Sequence, residues 1–142
     1  MYKFRRMSIS DYNEVINLWK NTDGIGLSGN DESKKSIKKF LRHNPKTCFV
    51  ATIDDEEIIG TIMAGDDGRR GNIYHLMVKH EHRKNGIGKD LLERAEKALK
   101  KDGVRKIFLV VFKSNEVGNK FWKKNGYDLR DDLNYLNKVI DD

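Results

Sequence analysis

A short basic segment containing two glycines constrains this chain more than any other feature. It reads HRKNGIGK, and it joins an apolar strand-like run to a long amphipathic pattern. Gly86 and Gly88 let the backbone turn tightly and approach a ligand with no Cβ in the way. The free amides of the helix's first turn then point at one spot, where the helix dipole favours an anion. The flanking basic side chains are Arg83, Lys84 and Lys89. The segment therefore predicts a pyrophosphate-binding loop.

Other glycine motifs fit this segment less well. It is not a Walker loop, since no Gly-Lys-Ser/Thr follows a four-residue gap. It is not a dinucleotide fingerprint, because the third glycine is missing and the preceding elements are hairpins rather than a βαβ unit. The pattern alone also allows a second interpretation, in which the segment is a helix start that contains glycines and binds no phosphate.

The periodicity of apolar residues predicts a single mixed α/β domain over residues 1–142, without linkers or repeats. The predicted order is β-α-α-β-β-β-α-β-α-β-β. The predicted strands are 2–6, 47–53, 57–65, 72–78, 106–112, 127–129 and 133–140. The predicted helices begin at Ser8 or Ser10, at Asp31 or Ser33, at Gly86, and at Ser114 or Asn115, and they are bounded by capping and breaker residues.

The net charge of the chain limits the kinds of ligand that it is expected to bind. The net charge is +6, which suits nucleic acid, an anionic membrane surface or a phosphorylated cofactor, although lysine-rich helix faces are often simply solvated. The basic residues lack interleaved exposed aromatics and are mixed with acids, which argues against nucleic acid. No apolar run approaches the ~20 residues that cross a bilayer, and the N-terminus has no signal-peptide core. We therefore expect a cytoplasmic protein with no nucleic-acid or membrane partner.

The only cysteine, Cys48, excludes an intrachain disulfide. It lies in the strand-like run TCFVATI, where a buried inert thiol is expected. A catalytic cysteine needs a histidine partner and an electropositive pocket, and no such pattern surrounds it. We also predict no metal site.

Two separate motifs resemble those of the GNAT acetyltransferases. Arg83-Lys84-Asn85-Gly86-Ile87-Gly88 is similar to the family's R/Q-x-x-G-x-G/A signature, and Leu76-Met77-Val78 resembles the strand before it, with His80 where proline is common. Downstream, Asn115 and the run FWKKNGY are similar to the family's N…F-Y-E-K-x-G-F motif. The segment TIMAGDDGRRG resembles the YpeA-like bacterial subgroup.

This resemblance implies a fold, a cosubstrate and a mechanism. Acetyl-CoA would lie in a cleft where two central parallel strands splay apart, with its pantetheine arm on the backbone of Leu76, Met77 and Val78. Arg83 and residues 84–89 would wrap the pyrophosphate, and Asn115 would contact the cosubstrate. An amine would attack the thioester directly, without an acyl-enzyme. A homodimer is left open.

The same resemblance leaves the proton chemistry unassigned. Trp122 replaces the tyrosine that serves as acid in many relatives, and Val110 occupies the position of a glutamate base in the ribosomal-protein enzymes. Strand alternation puts Asn72, Tyr74 and Leu76 on one face and His75 on the other, unless a bulge reverses it.

In relatives with a base on this strand, the base lies two or four residues before the position of Leu76, which is Tyr74 or Asn72 here. This resemblance, together with the alternation, makes Tyr74 the first catalytic candidate and His75 the second. Either side chain could instead fill the strand's packing, a tyrosine at a half-buried position or a histidine in the core. Three carboxylates could relay a proton or hold a cationic amine, or only shape hairpin turns: Glu57, Asp66 and Asp67.

The acceptor is not specified by any motif. The glycine-rich loop from Thr22 to Asp31 and the first two helices would form the family's substrate wall. Asp23, Asp31 and Glu32 there could attract a cationic amine, or could only cap a helix beside a lid. A non-catalytic CoA sensor or scaffold with the same fold is the alternative function.

Overall fold

The structure is a computed structural model that describes residues 1–22, 29–54 and 56–141. Its strands are β1 (Tyr2–Arg6), β2 (Phe49–Ile53), β3 (Glu57–Asp66), β4 (Gly71–Val78) and β5 (Ile107–Phe108). Its helices are α1 (Tyr12–Lys20), α2 (Lys34–His43), α3 (Ile87–Lys101) and α4 (Glu116–Lys124). Short 3₁₀ turns at Ile9–Asp11 and His80–His82 precede α1 and α3.

The strands form one five-stranded sheet in the order β1-β2-β3-β4-β5. The first four strands are antiparallel neighbours, whereas β5 runs parallel to β4. A parallel neighbour needs a crossover connection, and α3 supplies it. The predicted mixed α/β class is confirmed, and the hairpins predicted between residues 47 and 78 are the antiparallel part of this sheet.

Local side-chain hydrogen bonds fix where the first two helices begin. The Ser8 amide donates to the Asp11 carboxylate at 2.9 Å, a reciprocal cap that starts the turn into α1. The Ser33 hydroxyl accepts from the Ser36 amide at 3.2 Å and caps α2. Helix α2 ends before Asn44 and Pro45, because proline disfavours helical backbone in the residue before it.

The core lies on both faces of the sheet. The Thr61 hydroxyl accepts from the Trp19 indole of α1, whereas a Cβ at the neighbouring Gly60 would touch Leu91 and Ile87 of α3. Adjacent strand residues point to opposite faces, so α1 and α3 cover opposite faces. Ile37 of α2 belongs to the same buried cluster as Trp19. Within the described residues, none of the helices combines the length and the apolar character needed to cross a bilayer.

Strand β5 is much shorter than the predicted strand 106–112. It contains only Ile107 and Phe108, which pair with Gly71 and Asn72 at the start of β4. We expected a buried run, and that expectation is wrong: Phe108 is 50% exposed and Val110 is 64% exposed. A strand continues only where a neighbour offers ladder hydrogen bonds, and the described residues offer none to this segment beyond Phe108.

The chain forms two compact units, Met1–Val110 and Val111–Asp142. The second unit contains α4, which the Asn115 side chain caps by accepting from the Gly118 amide at 2.8 Å. Residues 127–129 and 133–140 were predicted as strands, but their backbone is irregular in the structure. Apolar side chains there remain exposed, including Leu133 at 61% and Tyr135 at 70%. Strand-like patterning does not form a strand without a paired neighbour.

Candidate functional site

Strand β4 contains a bulge between Tyr74 and Met77. Opposite it, Thr61 pairs with Met77 and Met63 pairs with Tyr74, so three steps along β4 match two along β3. His75 occupies the extra position with φ +51°, a left-handed conformation that non-glycine residues rarely adopt. Bulges of this kind re-aim side chains and are frequent beside active sites.

The bulge puts Tyr74 and His75 on the same face, so the predicted separation of these two side chains is wrong. The Tyr74 ring meets Phe40 of α2 edge-to-face at 5.6 Å. The His75 ring stacks on Trp19 of α1 at 4.2 Å. Simple alternation predicted the wrong faces because the extra residue at the bulge moves the later side chains of β4 to the opposite face of the sheet.

The same reversal corrects the placement of Leu76. Met77 pairs with Thr61, and cross-strand partners share a face. Met77 therefore points toward α1, where it belongs to the buried cluster around Trp19. Leu76, one position earlier, points to the opposite face rather than to the face of Tyr74.

A hydrogen-bonded chain holds the bulge in place. The Trp19 indole donates to the Thr61 hydroxyl at 3.0 Å, and that hydroxyl donates to the His75 carbonyl at 3.1 Å. The His75 Nε2 atom lies 3.7 Å from the Glu32 Oε2 atom, with side chains only 14% and 10% exposed. Burial lowers the pKa of His75 to about 4, so its imidazole is neutral at pH 7.

Sequence reasoning placed Glu32 on the acceptor wall, as a carboxylate that could attract a cationic amine or only cap a helix. The structure instead buries it beside His75. The two residues are far apart in the chain and belong to different elements, so no local spacing could have paired them. Asp31, its neighbour, is exposed, and Asp23 lies outside the described residues.

One edge of β4 is open along most of its length. Strand β5 pairs only with Gly71 and Asn72, and in the described parts of the chain no other strand pairs with that edge. Within the described residues, the backbone from Ile73 to Val78 therefore has no hydrogen-bonded strand on that side. Leu76, Met77 and Val78 lie in this open stretch, directly before the glycine loop.

The glycine loop has the shape that its sequence predicted. Gly86 begins α3 with φ +78° and ψ 8°, and Lys84 also has a positive φ of 66°. The Asp90 amide makes the helix's first bond, to the Gly86 carbonyl at 3.0 Å. The amides of residues 87–89 precede it and have no carbonyl one turn earlier in the helix to accept from them. A Cβ at Gly86 would have no heavy atom within 4 Å, which leaves room for a ligand.

Hydrogen bonds fasten this loop to the end of β4. The Arg83 Nε atom donates to the Val78 carbonyl at 3.1 Å, and the Asn85 amide group donates to the His82 carbonyl at 3.1 Å. Ile87 is 3% exposed and anchors the helix start in the core. The exposed cations beside the loop are Arg83, Lys84 and Lys89. The open amides thus lie in a rigid, positively charged surrounding that fits a phosphate group.

Two predicted residues, Asn115 and Trp122, belong to the second unit. The Asn115 side-chain oxygen caps α4. Trp122 packs edge-on against Phe121 at 5.2 Å and against Tyr127 at 5.1 Å. The structure gives both residues a role within their own unit, and a contact of Asn115 with a cosubstrate stays a prediction.

Two grooves lie on the first unit. One of about 310 Å³ separates α1 from the end of β4 and includes Arg83 of the glycine loop. The other, of about 580 Å³, lies at the far end of α3 around Gly103 and Val104. A fifteen-residue helix is about 22 Å long, so the larger groove is remote from the loop. The smaller groove is the one next to the predicted phosphate site.

The hairpin carboxylates shape turns. The Asp67 carboxylate accepts from the Arg69 and Arg70 amides at 2.8 Å each, and these bonds hold its pKa below the usual range. Asp66 accepts from the Gly68 amide at 2.8 Å, and Glu57 pairs with Lys79 at 2.9 Å. Each has a structural partner, so none of the three is needed as a proton relay to explain its position.

Cys48 matches its prediction. It is 1% exposed, and burial raises the pKa of its thiol to about 12. A thiol with that pKa is almost entirely protonated at neutral pH and is a poor nucleophile. The geometry thus gives no support to an acyl-enzyme on this residue.

The fold and this site define a class: small mixed α/β domains in which a glycine turn joins a central strand, open on one edge, to a helix. The model of the Acetyltransferase (GNAT) family matches residues 12–127. The chain belongs to this acetyltransferase family, as its predicted motifs indicated.

Comparisons with individual proteins support the same family assignment. The chain is 35% identical to acetyltransferase SG1711 of Sodalis glossinidius over 130 residues, which cover 92% of this chain and 89% of that protein. Its fold resembles a PaiA N-acetyltransferase from Thermoplasma acidophilum in complex with coenzyme A, with a TM-score of 0.78, 28% identity and 92% of each chain covered. An acetyltransferase with acetyl-CoA from Clostridium acetobutylicum shares the fold at TM-score 0.77, with 22% identity and 96% of each chain covered.

Proposed function

We propose that this protein transfers the acetyl group of acetyl-CoA to a primary amine by direct attack within a ternary complex. The observation that carries the proposal is the continuity of two features. The open edge of β4 ends at Val78, and a short turn at His80–His82 connects it to the loop of unsatisfied amides at Gly86. A long cosubstrate with an amide-bearing arm and a pyrophosphate requires that arrangement.

Each part of the cosubstrate has a proposed partner. The backbone of Leu76, Met77 and Val78 pairs with the pantetheine arm, as an added strand would. The pyrophosphate binds the first-turn amides of α3, and its surroundings are Arg83, Lys84, Asn85, Gly86, Ile87, Gly88 and Lys89. The motif resemblance also assigns Asn115 a contact with the cosubstrate. The coenzyme A in the PaiA N-acetyltransferase complex supports the choice of acetyl-CoA as cosubstrate.

The reaction needs positioning more than covalent catalysis. The amine nitrogen forms a bond to the thioester carbon, the C–S bond breaks, and CoA leaves as a thiolate. Tyr74 is 43% exposed on the face shared with α1 and α2, and it orients the amine or a bound water. Trp122 does not donate a proton to the thiolate, because its indole N–H is a very weak acid. Holding the reactants in line supplies much of the rate.

The proposal is tested by incubating the purified protein with acetyl-CoA and a panel of amines while measuring released CoA. The panel contains polyamines, aminoglycosides, amino acids and peptides. We expect amine-dependent CoA release with at least one acceptor, and an acetylated product of matching mass. Acetyl-CoA binding without CoA release for any amine would favour the sensor or scaffold instead.

We expect Tyr74→Phe to lower kcat at least tenfold, a loss of about 1.4 kcal/mol in transition-state stabilisation. The phenyl ring keeps the contact with Phe40, so only the hydroxyl is removed. The kcat of Trp122→Phe should stay within a few fold of the wild-type value, because the Trp122 indole is too weak an acid to donate a proton in the reaction. Steady-state rates with the best acceptor measure both.

Tyr135→Phe is the matched control, since this tyrosine is 70% exposed in the second unit. It should leave kcat unchanged. A Tyr74→Phe enzyme as active as the control would remove Tyr74 from the reaction.

A further inference from the structure

We propose that His75 and Glu32 form a proton-transfer pair, in which His75 accepts the proton of the attacking amine and Glu32 positions and stabilises the imidazole. This inference rests on the proposed function. It assigns the general base, which the family motifs leave open in this chain. It also gives a role to Glu32, a carboxylate that lies in none of those motifs.

Geometry brings the pair together at the bulge. The His75 Nε2 atom lies 3.7 Å from the Glu32 Oε2 atom, a separation that a small side-chain movement closes to a hydrogen bond. Catalytic hydrogen bonds are often long in the absence of substrate. The Tyr12 hydroxyl donates to the Glu32 carbonyl at 2.7 Å, which fixes the backbone that carries the carboxylate.

The fold maintains His75 in an unfavourable conformation. A left-handed φ costs a non-glycine residue ~1–3 kcal/mol, and such strain collects at functional sites. Stacking on Trp19 and the hydrogen bond from the Thr61 hydroxyl to the His75 carbonyl hold it there. The strained bulge places the imidazole on the same face of β4 as Tyr74, where the amine is proposed to bind.

A general base must be neutral before the reaction and charged during it. Burial keeps the imidazole unprotonated at pH 7. Forming an imidazolium there is unfavourable unless an anion is close. Among the described residues, the Trp19 indole of α1 and the Glu32 carboxylate before α2 lie against the His75 ring, and the Thr61 hydroxyl of β3 donates to its carbonyl. Of these described groups, Glu32 supplies the negative charge.

The step balances without any further reactant. The amine nitrogen forms a bond to the thioester carbon with its lone pair, and the C–S bond breaks with its electron pair leaving on sulfur. The amine proton moves to His75 Nδ1, and the N–H electron pair stays on nitrogen. The proton on Nε2 faces Glu32, which stabilises the imidazolium. The low proton affinity of the buried ring then returns the proton to solvent or to the departing thiolate. His75 is the catalytic residue, and Glu32 is a positioning residue.

The first experiment measures His75 itself by NMR titration of its imidazole carbon-bound proton, without substrate. Glu32→Gln keeps the shape of the side chain and removes its charge. We expect His75 to bind its proton about tenfold more weakly in this variant, a shift of about one pH unit toward acid. Glu93→Gln is the same change at an exposed position of α3. In this control variant, His75 should titrate as it does in the wild type. An unshifted His75 in Glu32→Gln would overturn the pair.

The second experiment uses turnover. Glu32→Gln and His75→Gln should each lower kcat at least tenfold, with the affinity for acetyl-CoA by calorimetry unchanged within twofold. Because Glu32 acts through His75, the double variant should be no slower than His75→Gln alone. Additive losses, or a fully active His75→Gln, would overturn the proposal. A wild type without turnover of any amine would instead refute the proposed function, whereas the titration would still show whether the pair exists.

Discussion

Replacing Gly86 with valine should lower the affinity for acetyl-CoA at least 100-fold, which is about 2.7 kcal/mol of binding free energy. The residue has φ +78° and open space where a Cβ would point. Valine would place a branched side chain in the volume assigned to the pyrophosphate. It would also disfavour the left-handed backbone that aims the first-turn amides of α3. Isothermal calorimetry with acetyl-CoA measures the loss.

Gly68→Val is the matched control. Gly68 has φ +94° and also has no heavy atom within 4 Å of a built Cβ, but it lies in the turn between β3 and β4. The backbone cost is therefore similar and the ligand contact is absent. We expect its acetyl-CoA affinity to match wild type. Equal affinity in Gly86→Val and Gly68→Val would show that the loop does not bind the cosubstrate. Gly88→Val should behave like Gly86→Val.

Trp19→Ala should destabilise the fold by ~3–5 kcal/mol, the usual cost of removing a large aromatic side chain from a packed core. Trp19 is 0% exposed, stacks on His75 and donates to Thr61. The total stability of a domain is only ~5–15 kcal/mol, so the loss is a large part of it. Urea unfolding followed by circular dichroism, which does not depend on the removed indole, measures the change.

Trp19→Phe is a milder change at the same position. Phenylalanine keeps an aromatic ring against His75 but loses the indole N–H and the second ring of the indole, so we expect a loss of about 1–3 kcal/mol. Trp19→Ala should also lower acetyl transfer in the protein that remains folded, because the bulge loses the ring that supports His75. If Trp19→Ala were as stable as Trp19→Phe, the indole would not be a central part of the core.

The sequence predicted the parts of this protein that short-range chemistry controls. Two glycines in a basic strand-to-helix segment predicted the loop at Gly86, since few other residues adopt that backbone. Ser33 and Asn115 predicted helix starts, because a capping side chain satisfies amides only a few residues away. The antiparallel strands followed from turn residues between apolar runs. Comparison with known motifs then predicted the family, which the family match confirmed.

Tertiary structure alone decided the features that depend on distant partners. The length of β5 depends on how many residues of β4 pair with it through hydrogen bonds. The expected strands after α4 have no paired strand in the described residues. One extra residue opposite Thr61 reversed the parity of β4 and brought Tyr74 and His75 to one face. The meeting of Glu32 with His75 required α1, the segment before α2, and the sheet to pack together. Periodicity describes each element by itself, whereas registers and buried charge pairs form only when separate elements meet.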